Sequence, residues 1–330
     1  MVLLALEAGL VATLPAPSAS AASNGLWSVF PTVPTGQVAT RPYFQPVLTP
    51  GVAYKDSVTI INQSSVSQSF NIYGADAFNT ATGAFSLRRR TDPKVGIGAW
   101  IQLPLSTVRL PPLREVSVPF TINTPADASA GDHDGGIVAE STNGVVEKSG
   151  AVHVTVLQAV GVRIYGTVRG PMSPGLAVSS LSVQTHRSFG TQFGGPVSGE
   201  VSLTVTNTGN TNLTPQAKLS VSSSLGHRVA LPSVSLPELV PQGSATVSVP
   251  FPRLIPFGRV SAHVAASASG VNATATSGTF VVPWLFLLIL VAIAAVSWSW
   301  RRRRPHVPPT AEQFFAAERH APRKAHVIRA

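Results

Sequence analysis

Apolar side chains fall at every second position along much of the chain. Val116, Val118, Phe120 and Ile122 alternate with polar or turn residues, as do Val152, Val154 and Val156, then Val201, Leu203 and Val205, then Val247, Val249 and Phe251. Successive side chains on a strand point to opposite faces, so this spacing, rich in β-branched residues, predicts half-buried strands. Between the two ends of the chain no long stretch carries a helical period, and Pro, Gly, Asn and Ser divide it into short segments. The expected fold class is all-β, with two tandem immunoglobulin-like β-sandwich domains followed by one transmembrane α-helix.

An internal repeat supports the two-domain reading. SVTIINQSSVSQSF leads a strand into Asn62 and a polar turn, and SLTVTNTGNTNL places Asn207 in the same position. Farther along, Leu110–Phe120 (LPPLREVSVPF) matches Leu239–Phe251 (LVPQGSATVSVPF), each a proline turn running into Val-Ser-Val-Pro-Phe. Pro119 and Pro250 lack an N–H for a ladder, so each is expected at a sheet edge or a bulge. The boundary is expected near Gly170-Pro171, which gives domains at 23–170 and 171–279.

The ends read differently. Phe280 to Trp300 is FVVPWLFLLILVAIAAVSWSW, without a charge. At about 1.5 Å per residue it covers roughly 30 Å, the thickness of a bilayer's hydrocarbon layer. Trp284, Trp298 and Trp300 sit near its ends, where amphipathic rings meet headgroups, and Arg301 to Arg304 follow at once. Residues 1–22 read as a signal peptide with small residues at Ala19 to Ala22, although no Lys or Arg precedes its apolar stretch and Glu7 interrupts it.

Charge and composition then narrow the function. The net charge is +10, but the 301–330 tail holds eight Lys/Arg against Glu312 and Glu318. Basic residues next to a span mark its cytoplasmic side. The expectation is a single-pass cell-membrane protein, N-terminus outside and C-terminus cytoplasmic, with no nucleic-acid partner. The chain has no cysteine, which excludes thiol nucleophiles, cysteine zinc sites and disulfides. An exported chain without disulfides fits a bacterial surface.

Certain residues bring a family into view. Pro50-Gly51 ahead of SVTIIN, Asn62, Ala75-Asp76-Ala77, Gly98-Ala99-Trp100-Ile101, Pro125-Ala126-Asp127-Ala128 and Gly131-Asp132-His133-Asp134-Gly135-Gly136-Ile137 lie in one module, which ends on the strand Gly161 to Gly170. From Trp27 to Gly170 the chain resembles the peptidoglycan-binding domain of the WxL-interacting proteins of Gram-positive surfaces. The second module resembles that family's following sandwich loosely, in outline and in Asn207-Thr208-Gly209-Asn210. The resemblance implies a membrane-anchored wall protein that contacts peptidoglycan and a partner surface protein.

Candidate chemistry is sparse. Asp127, Asp132, His133 and Asp134 crowd three carboxylates and an imidazole into eight residues. Such a loop could hold a hard cation, or zinc through His133, or contact a ligand. It matches no EF-hand spacing, and the expectation is a structured loop whose carboxylates cap backbone N–H groups, with no metal and no cofactor. Arg88, Arg89 and Arg90 could meet anionic wall polymers, because guanidinium pairs well with phosphate, or could be a solvated turn. Trp100 reads as a core aromatic, with a sugar-stacking platform as the alternative. Acids are few and scattered, and paired carboxylates for glycan hydrolysis need two held across a cleft. The chain is therefore read as non-enzymatic, and the resemblance implies a surface module that binds peptidoglycan or another wall polymer and a surface protein. The alternative is a structural stalk without glycan binding.

Overall fold

The computed structural model describes residues 22–33, 36, 41–149, 152–255 and 258–303. Apart from Ala22, the expected signal peptide lies outside the described residues, as does the tail beyond Arg303. The fold is all-β: two β-sandwich domains precede one long apolar helix.

The first domain holds β1 (Ala22–Ser23), β2 (Trp27–Pro31), β3 (Val47–Leu48), β4 (Ala53–Asn62), β5 (Gln68–Asn79), β6 (Phe85–Leu87), the single turn α1 (Ile97–Trp100), β7 (Ile101–Gln102), β8 (Thr107–Leu110), β9 (Glu115–Asn123), β10 (Gly131–Ser141), β11 (Val145–Ser149), β12 (Val152–Val156) and β13 (Ala159–Val168). One sheet runs β1-β2-β4-β9-β7; the facing sheet runs β3-β13-β10-β5-β6, with β8 on the end of β5. Between them pack Trp27, Val29, Phe44, Ile60, Phe70, Val118, Phe120, Ile137 and Ile164, all buried. The Val152 strand pairs with β11 in a two-stranded ribbon outside both sheets. Period two reports a strand but not which sheet it joins.

The second domain holds β14 (Leu176–His186), β15 (Val197–Asn207), β16 (Gln216–Ser223), β17 (Arg228–Ala230), β18 (Val234–Ser235), β19 (Ser244–Leu254), β20 (Gly258–Ala268) and β21 (Val271–Val281), with a 3-10 turn at Phe189–Phe193. Its sheets are β14-β15-β19 and β17-β16-β20-β21, with β18 beside β16. They close on a second core that includes Val201, Leu203, Val221, Leu239, Phe251 and Val264. β13 ends at Val168 and β14 begins at Leu176, on either side of the expected boundary.

The repeat has a shared physical purpose. Asn62 and Asn207 are both fully buried. The Asn62 amide donates to the carbonyls of Val66, Leu110 and Pro111, and the Asn207 amide donates to those of Thr211 and Leu239. Their Oδ1 atoms accept the N–H of Ser64 and Gly209. Each asparagine thus ties the end of one strand to the proline turn that feeds the next. Both turns reach positive φ, at Leu113 and Gln242. Pro250 lies on the edge strand β19, and Pro119 lies past the end of the short strand β7.

The long helix α2 (Trp284–Arg302) follows β21 after two intervening residues and has no buried residue. It is long and apolar enough to cross a membrane.

Candidate functional site

The site is built on the outward face of the first domain's second sheet. Residues 80–96 form a strap across that face. A turn at Thr80–Gly83 reverses the chain, β6 pairs with the end of β5, and a second turn closes where Asp92 accepts the Arg89 N–H through Oδ2 at 3.0 Å. Beneath the strap, Leu87 packs on Tyr73, Ala75 and Val138. It rests on Gly136 and Gly161, where a Cβ would come within 2.7 Å of its methyl. Asp76 fixes the far end: its carboxylate accepts the N–H groups of Val95, Gly96 and Gly98 at 2.7, 3.1 and 2.6 Å, which starts α1.

The strap and the sheet enclose an open cleft of about 1030 Å³. Its polar walls include Arg88, Arg89, Arg90, Arg163 and Glu140, with the half-buried Phe85 at one side and the buried Tyr73 beneath. The Arg163 guanidinium lies 4.4 Å from the Phe85 ring centre, and that of Arg88 lies 5.2 Å from Phe78. Arg90 meets Glu140 at 3.3 Å. The Arg89 side chain is exposed and makes no ion pair or hydrogen bond among the described residues. Burial pushes the Tyr73 hydroxyl up to about 12, so it stays a neutral donor. Such a cleft presents several guanidinium groups against a single carboxylate. A wall of this kind suits an anionic polymer.

The other candidates lie elsewhere. Asp127 is exposed in the turn before β10. Asp132, His133 and Asp134, expected in a loop, are the start of β10, so alternation splits them between two faces. His133 points away from the cleft, with Nε2 at 2.9 Å from the Ser129 carbonyl and its ring over Trp100 at 4.8 Å. Trp100 is half-buried against the first core. Neither lines the cleft.

Asp132 and Asp134 turn toward the second domain. Asp132 accepts the Thr167 hydroxyl at 2.8 Å and the Asn212 N–H at 2.7 Å, and its own N–H donates to the Asn210 carbonyl. Asn210 donates to Ala130 and Pro171, Tyr165 donates to Glu238, and Asn79 donates to the Glu238 carbonyl while accepting the Val240 N–H. Asp132 thus caps a backbone N–H, as expected, but one supplied by the other domain. Asp134 caps nothing: it is buried, and neither oxygen has a hydrogen-bond partner. Burial pushes its carboxyl up to about 7, the Asn212 side chain counters in part, and Asp132 and Glu238 push it further up. Among the described residues no group of three His, Asp or Glu could hold a metal.

No family model and no curated protein matches the chain. Solved structures similar to it include a chaperone–tip adhesin complex of CFA/I fimbriae biogenesis, at 12% identity and TM-score 0.33, covering 78% of this chain and 99% of that one. The class 5 fimbriae chaperone CfaA stands at 14% and 0.32, with 78% and 99% covered. The E. coli chaperone DraB stands at 10% and 0.29, with 71% and 95% covered. A likeness this loose carries no argument about function.

Arg88, Arg89 and Arg90, with Phe85 just before them, stand out in the sequence as one basic, partly aromatic segment, whereas Arg163 and Tyr73 do not. Arg163 stands at an outward position of β13, where a strand arginine is ordinarily solvated, and only the strap folded over the sheet makes it a wall. No local signal marked it.

Proposed function

We propose that the chain is a membrane-anchored bacterial cell-surface protein whose first domain binds cell-wall peptidoglycan or an associated anionic wall polymer in the arginine-lined cleft. The observation that carries this reading is the cleft itself. Four guanidinium groups and one carboxylate line about 1030 Å³; Glu140 is taken by Arg90, Arg163 lies over Phe85, and Arg89 is unengaged. Stem-peptide carboxylates or polymer phosphates would pair with the guanidinium groups. The resemblance to the WxL-interacting family points the same way. The α2 helix would supply the anchor, and the basic residues Arg301, Arg302 and Arg303 at its end support a cytoplasmic C-terminus. A partner surface protein belongs to the same proposal. A stalk without glycan binding remains the second reading, favoured by the hydrogen bonds that join the two domains. Co-sedimentation of the detergent-solubilised full chain with insoluble peptidoglycan separates the two. Binding predicts a pelleted fraction that falls with added salt and in Arg89→Glu. A chain that stays in the supernatant with native and with polymer-stripped walls is a stalk.

A further inference from the structure

The second domain is polarised. One end, with Asn210, Glu238 and Val240, grips the first domain. The other end carries the β14–β15 loop, the β16–β17 loop, the end of β19 with Ile255, the start of β20 and the junction with α2. Of the exposed large apolar residues described between 171 and 283, Phe189, Phe193, Leu225, Ile255 and Phe280 belong to this second end, and Met172 belongs to the first. Phe189 is 78% exposed and Phe280 65%, values far from ordinary for phenylalanine on a water-facing β-sandwich. Phe189 and Phe193 form an edge-to-face pair at 5.2 Å on the 3-10 turn.

That apolar rim lies at the base of the helix. The 3-10 turn touches α2, and the Arg187 guanidinium reaches the Phe280 carbonyl at 3.4 Å. Only Val282 and Pro283 separate β21 from α2, too little chain to lift the domain off the surface. Beside the rim is a cavity of about 340 Å³ lined by His186, Arg187, Ser188, Ser198 and Arg253. The domain's two acids, Glu200 and Glu238, do not line it. Apolar tips below a cationic ring match the layering of a bilayer interface, where hydrocarbon gives way to phosphate.

We propose that this end of the second domain is a docking surface for the outer face of the bilayer. Its phenylalanine, leucine and isoleucine tips enter the headgroup region, and the His186–Arg187–Arg253 cavity holds the headgroup of an anionic phospholipid. The proposal rests on the reading of α2 as the membrane anchor. Docked this way, the domain is held against the membrane at several points and becomes a fixed base for the wall-facing domain.

The absence of native cysteine permits single labels on the full chain in lipid nanodiscs. Nitroxides go at Gly190→Cys, where a Cβ meets little, at Leu225→Cys, at Asn272→Cys on the far end, and at Ala294→Cys inside α2. The readout is the ratio of collisions with oxygen to collisions with a water-soluble nickel chelate. Labels at 190 and 225 should show a ratio several-fold above that at 272, and below that at 294. Phosphatidylglycerol nanodiscs should raise it over phosphatidylcholine ones, and Arg187→Gln with Arg253→Gln should abolish that lipid difference. Ratios at 190 and 225 equal to that at 272, with 294 still deep, overturn docking while leaving the anchor intact. Equal ratios in both lipids overturn the headgroup site. A water-like ratio at 294 overturns the anchor reading, and docking falls with it.

Discussion

Replacing Asp134 by asparagine should stabilise the protein at neutral and alkaline pH. The carboxylate is buried without a hydrogen bond, and its proton affinity is raised from 3.8 to about 7, first by burial and then by Asp132 and Glu238. The folded state therefore holds a proton that the unfolded chain has already released. Stability from this group is fullest below the unfolded value, declines as pH rises toward 7, and is flat above it. At about 1.4 kcal/mol per pH unit the penalty above pH 7 has a ceiling of about 4 kcal/mol. Asp134→Asn removes the charge, and its new amide can donate to Asn212 Oδ1, itself buried without a partner. The expected gain at pH 8 is about 2–4 kcal/mol, and for a domain of this size that raises Tm by roughly 5–10 °C. The assay is thermal unfolding of the full chain in detergent from pH 4 to pH 8, followed by near-UV circular dichroism, with Trp27 and Trp100 in the first domain. The gap between variant and wild type should open between pH 4 and 7 and then hold. A variant that melts no higher than wild type at pH 8, or a gap that does not change with pH, would refute the reasoning.

Other perturbations test the frame around the site. Asn62→Ala strands carbonyls of Leu110 and Pro111 inside the first domain, so urea unfolding should show a loss of about 2–4 kcal/mol, and Asn207→Ala should do the same to the second. Val118→Asp buries an unpaired charge at a site 1% exposed; circular dichroism should show the first domain unfolded. For topology, protease added to cells stripped of their wall should digest the β-domains and spare a C-terminal tag; loss of the tag from intact cells reverses the orientation.

What the sequence discloses follows the range of the forces involved. Period-two alternation is a local consequence of one face meeting a core, so β9, β15 and β19 are legible residue by residue. The Asn62 and Asn207 ties could be read because the asparagine and its proline turn repeat together. Asp76 and Gly98 were separate motif fragments until the fold joined them at 2.6 Å. Asp132 and Asp134 show the opposite limit. Their density suggested a loop, but the N–H that Asp132 accepts comes from Asn212, 80 residues on, and no local pattern encodes that distance. Arg163 joins the arginines only through the strap, a tertiary event set by Leu87 seating on two glycines.

The most direct test of wall-polymer binding is the affinity of the full chain in nanodiscs for soluble peptidoglycan fragments, measured for wild type, Arg89→Gln and Lys55→Gln. Arg89 lines the cleft, whereas Lys55 is an exposed cation on β4 of the opposite sheet. A charge-assisted contact contributes about 1.5–3 kcal/mol, so Arg89→Gln should weaken binding by about tenfold or more, with Lys55→Gln close to wild type. Equal affinities for all three proteins would contradict the assignment of the cleft.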